Sequence, residues 1–184
     1  RVLRTPHGER LARVLCRALR KRYPKLVFDS IQVNRNFPGN YHVDKNNVGP
    51  SVGLFLADGA LKGGGLYVFD RKKQKAKVHD VIRKRWLLFD GNDPHMTMPY
   101  RGNRYSVIFF QKGANKNKGR ISRTSKQFLK RVGFHMRKPV EKPKRTPLIH
   151  MRDGLVYMKK QYPALYRYFL RINRGGFKTK RINF

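Results

Sequence analysis

Five short runs decide what this chain can become: LVFDSIQVNRNF (Leu26–Phe37), SVGLFLAD (Ser51–Asp58), GGLYVFD (Gly64–Asp70), RWLLFDG (Arg85–Gly91) and RYSVIFFQ (Arg104–Gln111). Each is rich in β-branched or aromatic residues, and each ends at Asp, Gly or a basic cluster, the pattern of strands closed by turns. Several such strands in one stretch point to a mainly β fold, a sandwich or a jelly-roll barrel. A helix over roughly residues 8–22 precedes them and is expected on the outside, with Leu11, Val14, Leu15 and Leu19 on one face. With 39% hydrophobic and 12% aromatic residues in 184, the chain can bury one sizeable core, which excludes wholesale disorder.

Charge divides the chain. It carries 44 Lys and Arg against 10 Asp and Glu, a net +34, and eight of the ten acids precede residue 94. Residues 112–184 hold 22 cations and 2 acids. Two parts are therefore expected: residues 1–111 as the strand core with its N-terminal helix, and residues 112–184 as a basic, partly helical extension that binds nucleic acid. The seam is KGANKNKGR (Lys112–Arg120). Beyond it, Ser125–Phe134 reads as a short basic helix, Arg137–Pro147 as an extended Pro-rich cationic segment, and Gly154–Asn173 as a helix broken near Pro163.

So positive a surface repels itself unless a polyanion neutralises it. Nucleic acid, RNA ahead of DNA, is the expected partner, because Lys and Arg on phosphates release counterions. An anionic membrane face is a weaker alternative, and no apolar run approaches the ~20 residues that span a bilayer. Cys16 is the single cysteine, so no internal disulfide or Cys-based zinc site is expected. A reducing intracellular compartment, nucleus or mitochondrion, suits that usage. The chain opens at Arg1 and is expected to be processed or a piece of a longer one. Its Arg-rich first 22 residues overlap transit peptides in composition, with a surface helix the favoured reading.

One acidic spot stands out. In YHVDKNNVGPS (Tyr41–Ser51), His42 and Asp44 flank one residue, and on a strand side chains i and i+2 share a face. An imidazole and a carboxylate aimed at one point need a third ligand to form a facial triad with open positions. Candidates are His7, His79, His95, His135 and His150, and His95 sits between two strand-like runs. Arg104 opens the following strand with Ser106 on the same face. Together they suit a dicarboxylate, held bidentately by guanidinium with a hydroxyl as second donor. Arg101 is the alternative, in the turn PYRGN. Asn34 and Asn36 are placed to reach the co-substrate or to cap a turn, with the cap the favoured reading, and Tyr41 and Tyr100 are expected to pack.

The combined pattern, HVDKNNVGPS…GGGLYV…WLLFDGNDPH…PYRGNRYSVIFF, resembles the Fe(II)/2-oxoglutarate-dependent dioxygenase superfamily over residues 31–111. It looks most like oxygenases related to the TET/JBP nucleobase-oxidising group, divergent protist members especially. Prolyl-hydroxylase-like enzymes share HxD, GGxL and a distal H-x-x-x-P. The resemblance implies a double-stranded β-helix (jelly-roll) core, with Fe(II) on His42, Asp44 and His95. It implies 2-oxoglutarate on Arg104 and Ser106, with ascorbate as a possible helper, and oxidation of a C–H bond in the substrate. A base as substrate has to be unpaired or flipped into the site.

Two functions follow. One is an oxygenase acting on a nucleobase or on a protein associated with nucleic acid. The other is a non-catalytic component of a large ribonucleoprotein, ribosomal or mitoribosomal, that has recruited the oxygenase fold and binds rRNA. Phosphate contacts are expected from the loop Arg71–Arg85, through Arg71, Lys72, Lys73, Lys75, Lys77, Arg83, Lys84 and Arg85. Further contacts are expected from Arg137, Lys138, Lys142, Lys144, Arg145, Arg167, Arg171 and Arg174 of the basic extension.

Overall fold

Alternation of side chains across each strand builds two antiparallel sheets that share one interior. The computed structural model describes residues 5–113, 122–136 and 148–174. A four-stranded sheet runs β1 (Ser30–Arg35), β7 (Tyr100–Lys112), β2 (Asn47–Gly63), β5 (Trp86–Phe89). A three-stranded sheet runs β4 (Lys75–His79), β3 (Leu66–Asp70), β6 (His95–Thr97). Residues 39–42 extend the second sheet past β6: Thr97 N donates to Gly39 O at 3.0 Å, and His42 and His95 exchange both backbone hydrogen bonds. Counting that segment as a strand, the chain visits the two sheets in an order that closes a jelly roll. Mainly β architecture is thus observed, with helices outside it.

Because neighbours alternate, both faces of each sheet are buried. On β7, Arg104, Ser106 and Ile108 face the interior while Val107 and Phe109 face outward. The outward set joins Val52 and Leu54 of β2 under α1 (Pro6–Arg22) and α3 (Arg123–Val132). Phe28 meets Phe109 edge-on at 5.6 Å and Phe134 at 5.4 Å in this layer, and such pairs add about 0.5–1.5 kcal/mol beyond burial. Between the sheets lie Phe55, Leu66, Val68 and Phe89, with Val81 of the single-turn α2 (Val81–Lys84) plugging the open side. The outer face of β3, Tyr67 and Phe69, is covered by Met158 and Leu165 from α4 (Leu148–Gln161) and α5 (Pro163–Arg174).

Local chemistry sets the helix ends. Thr5 caps α1, its hydroxyl accepting from Gly8 N at 3.1 Å, with Pro6 in the first turn and Arg20, Lys21 and Arg22 in the last. Ser122 caps α3, and Gly133 ends it in the left-handed conformation. Pro163 ends α4 and opens α5, where a break was expected.

One expectation is corrected. Leu11, Val14, Leu15 and Leu19 do not share the buried face: α1 buries Ala12, Cys16 and Leu19, while Leu11 and Val14 are 50% and 58% exposed. Small residues at positions 8, 12 and 16 let the helix lie close to α3 and the sheet, and that rotates Leu11 and Val14 to solvent. The division at residue 112, drawn from charge, is one of composition. The described helices beyond it share their cores with the strands, Met158 and Leu165 on one sheet and Val132 and Phe134 on the other. The Pro-rich segment Arg137–Pro147, with Arg137, Lys138, Lys142, Lys144 and Arg145, lies outside the described residues.

Met158 is fully buried against Tyr67 and Phe69, whereas Val156, two residues earlier, is 60% exposed. Met158→Ala is expected to cost about 2–5 kcal/mol and Val156→Ala less than about 0.5 kcal/mol, compared by urea denaturation.

Candidate metal centre

Two histidines far apart in the chain are brought face to face by one reciprocal pair of hydrogen bonds, His42 N to His95 O at 3.0 Å and His95 N to His42 O at 2.9 Å. Directly paired residues project to the same face of a sheet, and the two rings lie 4.3 Å apart. Asp44 arrives from the loop beyond, its N–H donating to Gly91 O at 2.7 Å. Its oxygens stand 3.6 Å from His42 Nε2 and 4.0 Å from His95 Nε2. Ligand atoms of all three residues lie within 4.8 Å of one another. The residues expected as a triad are therefore together. They are held by an isolated bridge and a loop rather than by the regular strand that the HxD spacing suggested.

Protonation follows from the partners. His42 Nδ1 faces Asn40 O, and His95 Nδ1 faces Asp93 O at 2.7 Å. A carbonyl only accepts, so each Nδ1 carries the proton and each Nε2 keeps its lone pair toward Asp44. Burial, with His42 adding to it, lowers the His95 pKa to about 4. That ring is neutral and able to ligate at physiological pH.

The carboxylate is positioned by residues that the spacing argument missed. Asn47 Nδ2 donates to Asp44 Oδ2 at 3.0 Å, and Asn92 Nδ2 donates to Asn47 O at 3.2 Å. At Gly91 a Cβ would stand 2.7 Å from Asp44 Oδ2, so only glycine leaves the carboxylate its place. The signal was in the sequence, the DGND turn just before His95 and the KNN after Asp44, but neither contact is a matter of spacing.

The three ligands open into a cavity of about 90 Å³ that Arg104 and Ser106 also line. Arg104 is 3% exposed. Its Nε donates to Gly64 O at 3.1 Å, and its guanidinium lies 5.3 Å from the Phe55 ring and 5.7 Å from the Tyr100 ring. Gly64, at φ +81, has no Cβ to press on the Arg104 side chain. Nη2 of Arg104 is buried with no hydrogen-bond partner among the described residues, and burial works against its charge. A buried orphan donor on a cation is costly, and a carboxylate is the group that satisfies it. Gln32 Nε2 donates to Asn34 Oδ1 at 2.9 Å, and Asn34 Nδ2 donates to Ser106 Oγ at 3.1 Å. That chain leaves the Ser106 O–H as a donor. Asn34 is thus a strand residue opposite Ser106 rather than a turn cap, whereas Asn36, at φ +50, takes the turn and accepts from Arg104 N at 2.8 Å. Tyr41 packs as expected, against Tyr67 and Phe169, its hydroxyl on Met151 O. Arg101 is exposed on the β2–β7 arm.

Among the residues expected on phosphate, Arg71 bridges Asp93 at 2.6 Å and Asp90 at 3.2 Å, bracing the loop that carries His95. Burial pushes the Asp93 carboxyl up while Arg71 pulls it down. Lys72, Lys73, Lys75, Lys77 and Arg85 are exposed around the β3–β4 hairpin, and Lys73 also reaches Asp70 at 3.7 Å. Arg83 and Lys84 fall in α2, and Arg174 is the last residue of α5. Arg167 and Arg171 are exposed on α5, Arg171 over the Tyr168 ring at 5.5 Å.

No protein-family profile and no curated protein matches the sequence. Among solved structures, the chain is similar to an oxidoreductase of the 2OG-Fe(II) oxygenase family from Burkholderia pseudomallei, at 19% identity and TM-score 0.46, over 62% of this chain and 61% of that one. It is also similar to a prolyl 4-hydroxylase from Phytophthora capsici, at 19% identity and TM-score 0.43, over 92% of this chain and 61% of that one. In both cases the match spans about 61% of the other protein's length.

Gly91→Ala is expected to weaken divalent-metal binding about 10- to 100-fold, as loss of outer support does, and Asp44→Ala to abolish it, both read by calorimetric titration. In the metal-free chain, His95 titrates near 4 when folded, against 6.5 for an ordinary histidine. Between those values the unfolded chain takes the proton that the folded chain refuses, so acidification lowers stability. The drop in urea midpoint from pH 7 to pH 4.5 is expected to shrink in His95→Gln.

Proposed function

We propose that this chain is an Fe(II)/2-oxoglutarate-dependent oxygenase acting on a nucleobase or on a protein bound to nucleic acid. The observation that carries the reading is the buried, unsatisfied Nη2 of Arg104 in the cavity that His42, Asp44 and His95 also line. Two imidazoles and one carboxylate suit Fe(II) with positions left open, and they also suit a catalytic zinc. The buried arginine favours iron, because an acidic co-substrate has a place prepared for its far carboxylate.

When bound, iron with 2-oxoglutarate would activate dioxygen, one oxygen atom converting a substrate C–H bond to C–OH and the other entering the succinate formed as the co-acid loses carbon dioxide. The chain's own residues do the rest. Arg104 and the Ser106 hydroxyl hold the carboxylate. Phe55 and Tyr100 sandwich the guanidinium and keep water from it. The carbonyls of Asn40 and Asp93 fix both histidine tautomers, and Asn47 orients Asp44.

A polyanionic substrate is supported by the edge of the same sheet. His42 pairs with His95, His95 with Val68, and Val68 with Lys77, so all four stand on one rung. Lys77 lies two strands from His95, about 10 Å at the usual strand spacing. The second reading, a ribonucleoprotein component that keeps this fold as a scaffold, is favoured by the net charge of +34, since a polycation releases nucleic acid slowly at physiological salt.

Anaerobic titration with Fe(II) and 2-oxoglutarate separates the two. A visible absorption band of the iron–oxo-acid chelate is expected in the wild type, with 2-oxoglutarate affinity lost in Arg104→Gln and the band lost in Asp44→Ala. A folded wild-type chain without the band overturns the oxygenase reading and leaves the scaffold.

A further inference from the structure

The flank of α1 away from the metal centre carries a second site. Arg13, Arg17, Arg20 and Lys21 recur at i, i+4, i+7 and i+8, one helical turn at a time, and so line one side of the helix. With Cys16, Val132 and Gly133 they enclose a cleft of about 450 Å³ between α1 and the end of α3. Gly133 sets its depth: at φ +117, a Cβ there would stand 2.9 Å from Cys16 Cβ, so glycine lets the end of α3 settle on α1. Burial pushes the Cys16 thiol up to about 11, so the floor is a neutral thiol and not a nucleophile.

The cations divide into two pairs. Arg13 is spent, its Nε and Nη2 on Glu9 Oε1 at 3.0 and 2.6 Å and its Nη1 on Arg131 O at 2.9 Å. Arg20 places Nε and Nη2 on Gly133 O at 3.2 and 2.9 Å, leaving Nη1 outward. These two contacts cover the carbonyl end of α3, which would otherwise repel an anion. Arg13 also consumes Glu9, the one acid of the described α1. The Arg17 and Lys21 side chains are exposed and make no hydrogen bond or ion pair with any other described residue. A fixed pair therefore frames a free pair, with no competing carboxylate.

We propose that this cleft binds the phosphodiester backbone of nucleic acid through Arg17, Lys21 and the remaining N–H groups of Arg20. Cations repeating at about 5.4 Å per turn suit phosphates that repeat along a strand, and an open cleft between two helices admits one. A membrane would have to take the exposed apolar side of α1 instead. That side offers only Leu11 and Val14 as large exposed residues, about 1.5–3 kcal/mol each at full burial, and Val14 borders the cleft beside Arg17 and Lys21. The site does not depend on iron.

The test is salt-dependent fluorescence anisotropy of the full chain with a labelled single-stranded RNA, repeated with DNA of the same sequence. The comparison is Arg17→Gln/Lys21→Gln against Lys25→Gln/Lys62→Gln, which removes equal charge from two exposed positions outside the cleft. The cleft variant is expected to weaken binding and to lower the slope of log K against log salt by about 1.4, near 0.7 per lost contact to a single strand. The control is expected to move it much less, and unchanged thermal melting and Fe(II) binding show that both variants fold. Loss on both polymers assigns backbone recognition, and loss on RNA alone assigns the same site with a ribose requirement. Equal effects of the two variants, or none, overturn the proposal, because net charge then explains the binding. Loss confined to phosphatidylserine vesicles, with nucleic-acid binding intact, overturns it in favour of a membrane.

Discussion

The reciprocal backbone pair between His42 and His95 is the contact on which the centre depends. It is a single rung of sheet, yet it sets the separation of two rings contributed by segments 53 residues apart and points both to one side. Each ring is then turned by the carbonyl two residues before it, Asn40 for His42 and Asp93 for His95. The repetition of one device at both ligands has a physical origin. The chain bends just before each ligand, at Tyr41 and at Asp93, and the bend brings the carbonyl two residues back within reach of Nδ1. Asp44 needs a different support because it has left the sheet, and the Gly91–Asn92 turn and Asn47 supply it. That turn is braced from outside by Arg71 on Asp90 and Asp93.

Arg104 is the complementary constraint. A guanidinium at 3% exposure whose one side-chain hydrogen bond among the described residues goes to the carbonyl of Gly64 is an expensive feature to retain for packing alone, since isosteric apolar side chains fill such space without desolvating a charge. The surroundings accommodate the charge and do not neutralise it. Two aromatic faces flank it, a glycine clears its path, and Ser106 has its own oxygen occupied by Asn34 so that its proton is left to donate. Every one of these choices leaves room for an incoming carboxylate, and none satisfies Nη2 from within the described residues.

Much of the site was legible because it obeys strand periodicity. Arg104 and Ser106 are an i, i+2 pair on β7 and share a face as the pleat requires, whereas His42 and Asp44 have the same spacing but Asp44 reaches the common point from a loop outside the sheet. The strands themselves were legible for the same reason. What periodicity does not encode is contact between distant segments at a few ångströms. Gly91 under Asp44, Gly64 beside Arg104 and Gly133 on Cys16 are all close approaches whose partners lie elsewhere in the chain. The α1 face was misread for a related reason. Hydrophobicity alone ranks Leu11 and Val14 above Gly8, Ala12 and Cys16, but the helix buries the small residues because closeness to α3 outweighs side-chain size there. Arg71 was legible as a cation and not as a brace, because its acids stand 19 and 22 residues further along.

Six of the nine described acids share a habit that bears on the whole charge distribution. Glu9 is taken by Arg13, Asp90 and Asp93 by Arg71, Asp70 by the hairpin turn beneath Lys72 and Lys73, Asp29 by Ser30 and Lys112 N, and Asp44 by the metal site. Negative charge is thus spent on local architecture, and little of it is left to offset neighbouring cations at the surface. Interactions between exposed charges fade beyond about 10 Å at 0.1 M salt, so the surplus acts as separate cationic patches rather than as one distant field. On α1 the patch is sharpened by geometry, since Arg13 and Arg20 are tied to backbone while Arg17 and Lys21 stand between and beside them. A ligand that binds only the folded arrangement of such a patch stabilises it by mass action. The unfolded chain carries the same charges without the spacing, so a polyanion seated in the α1–α3 cleft would hold those two helices, and the sheet face beneath them, in place.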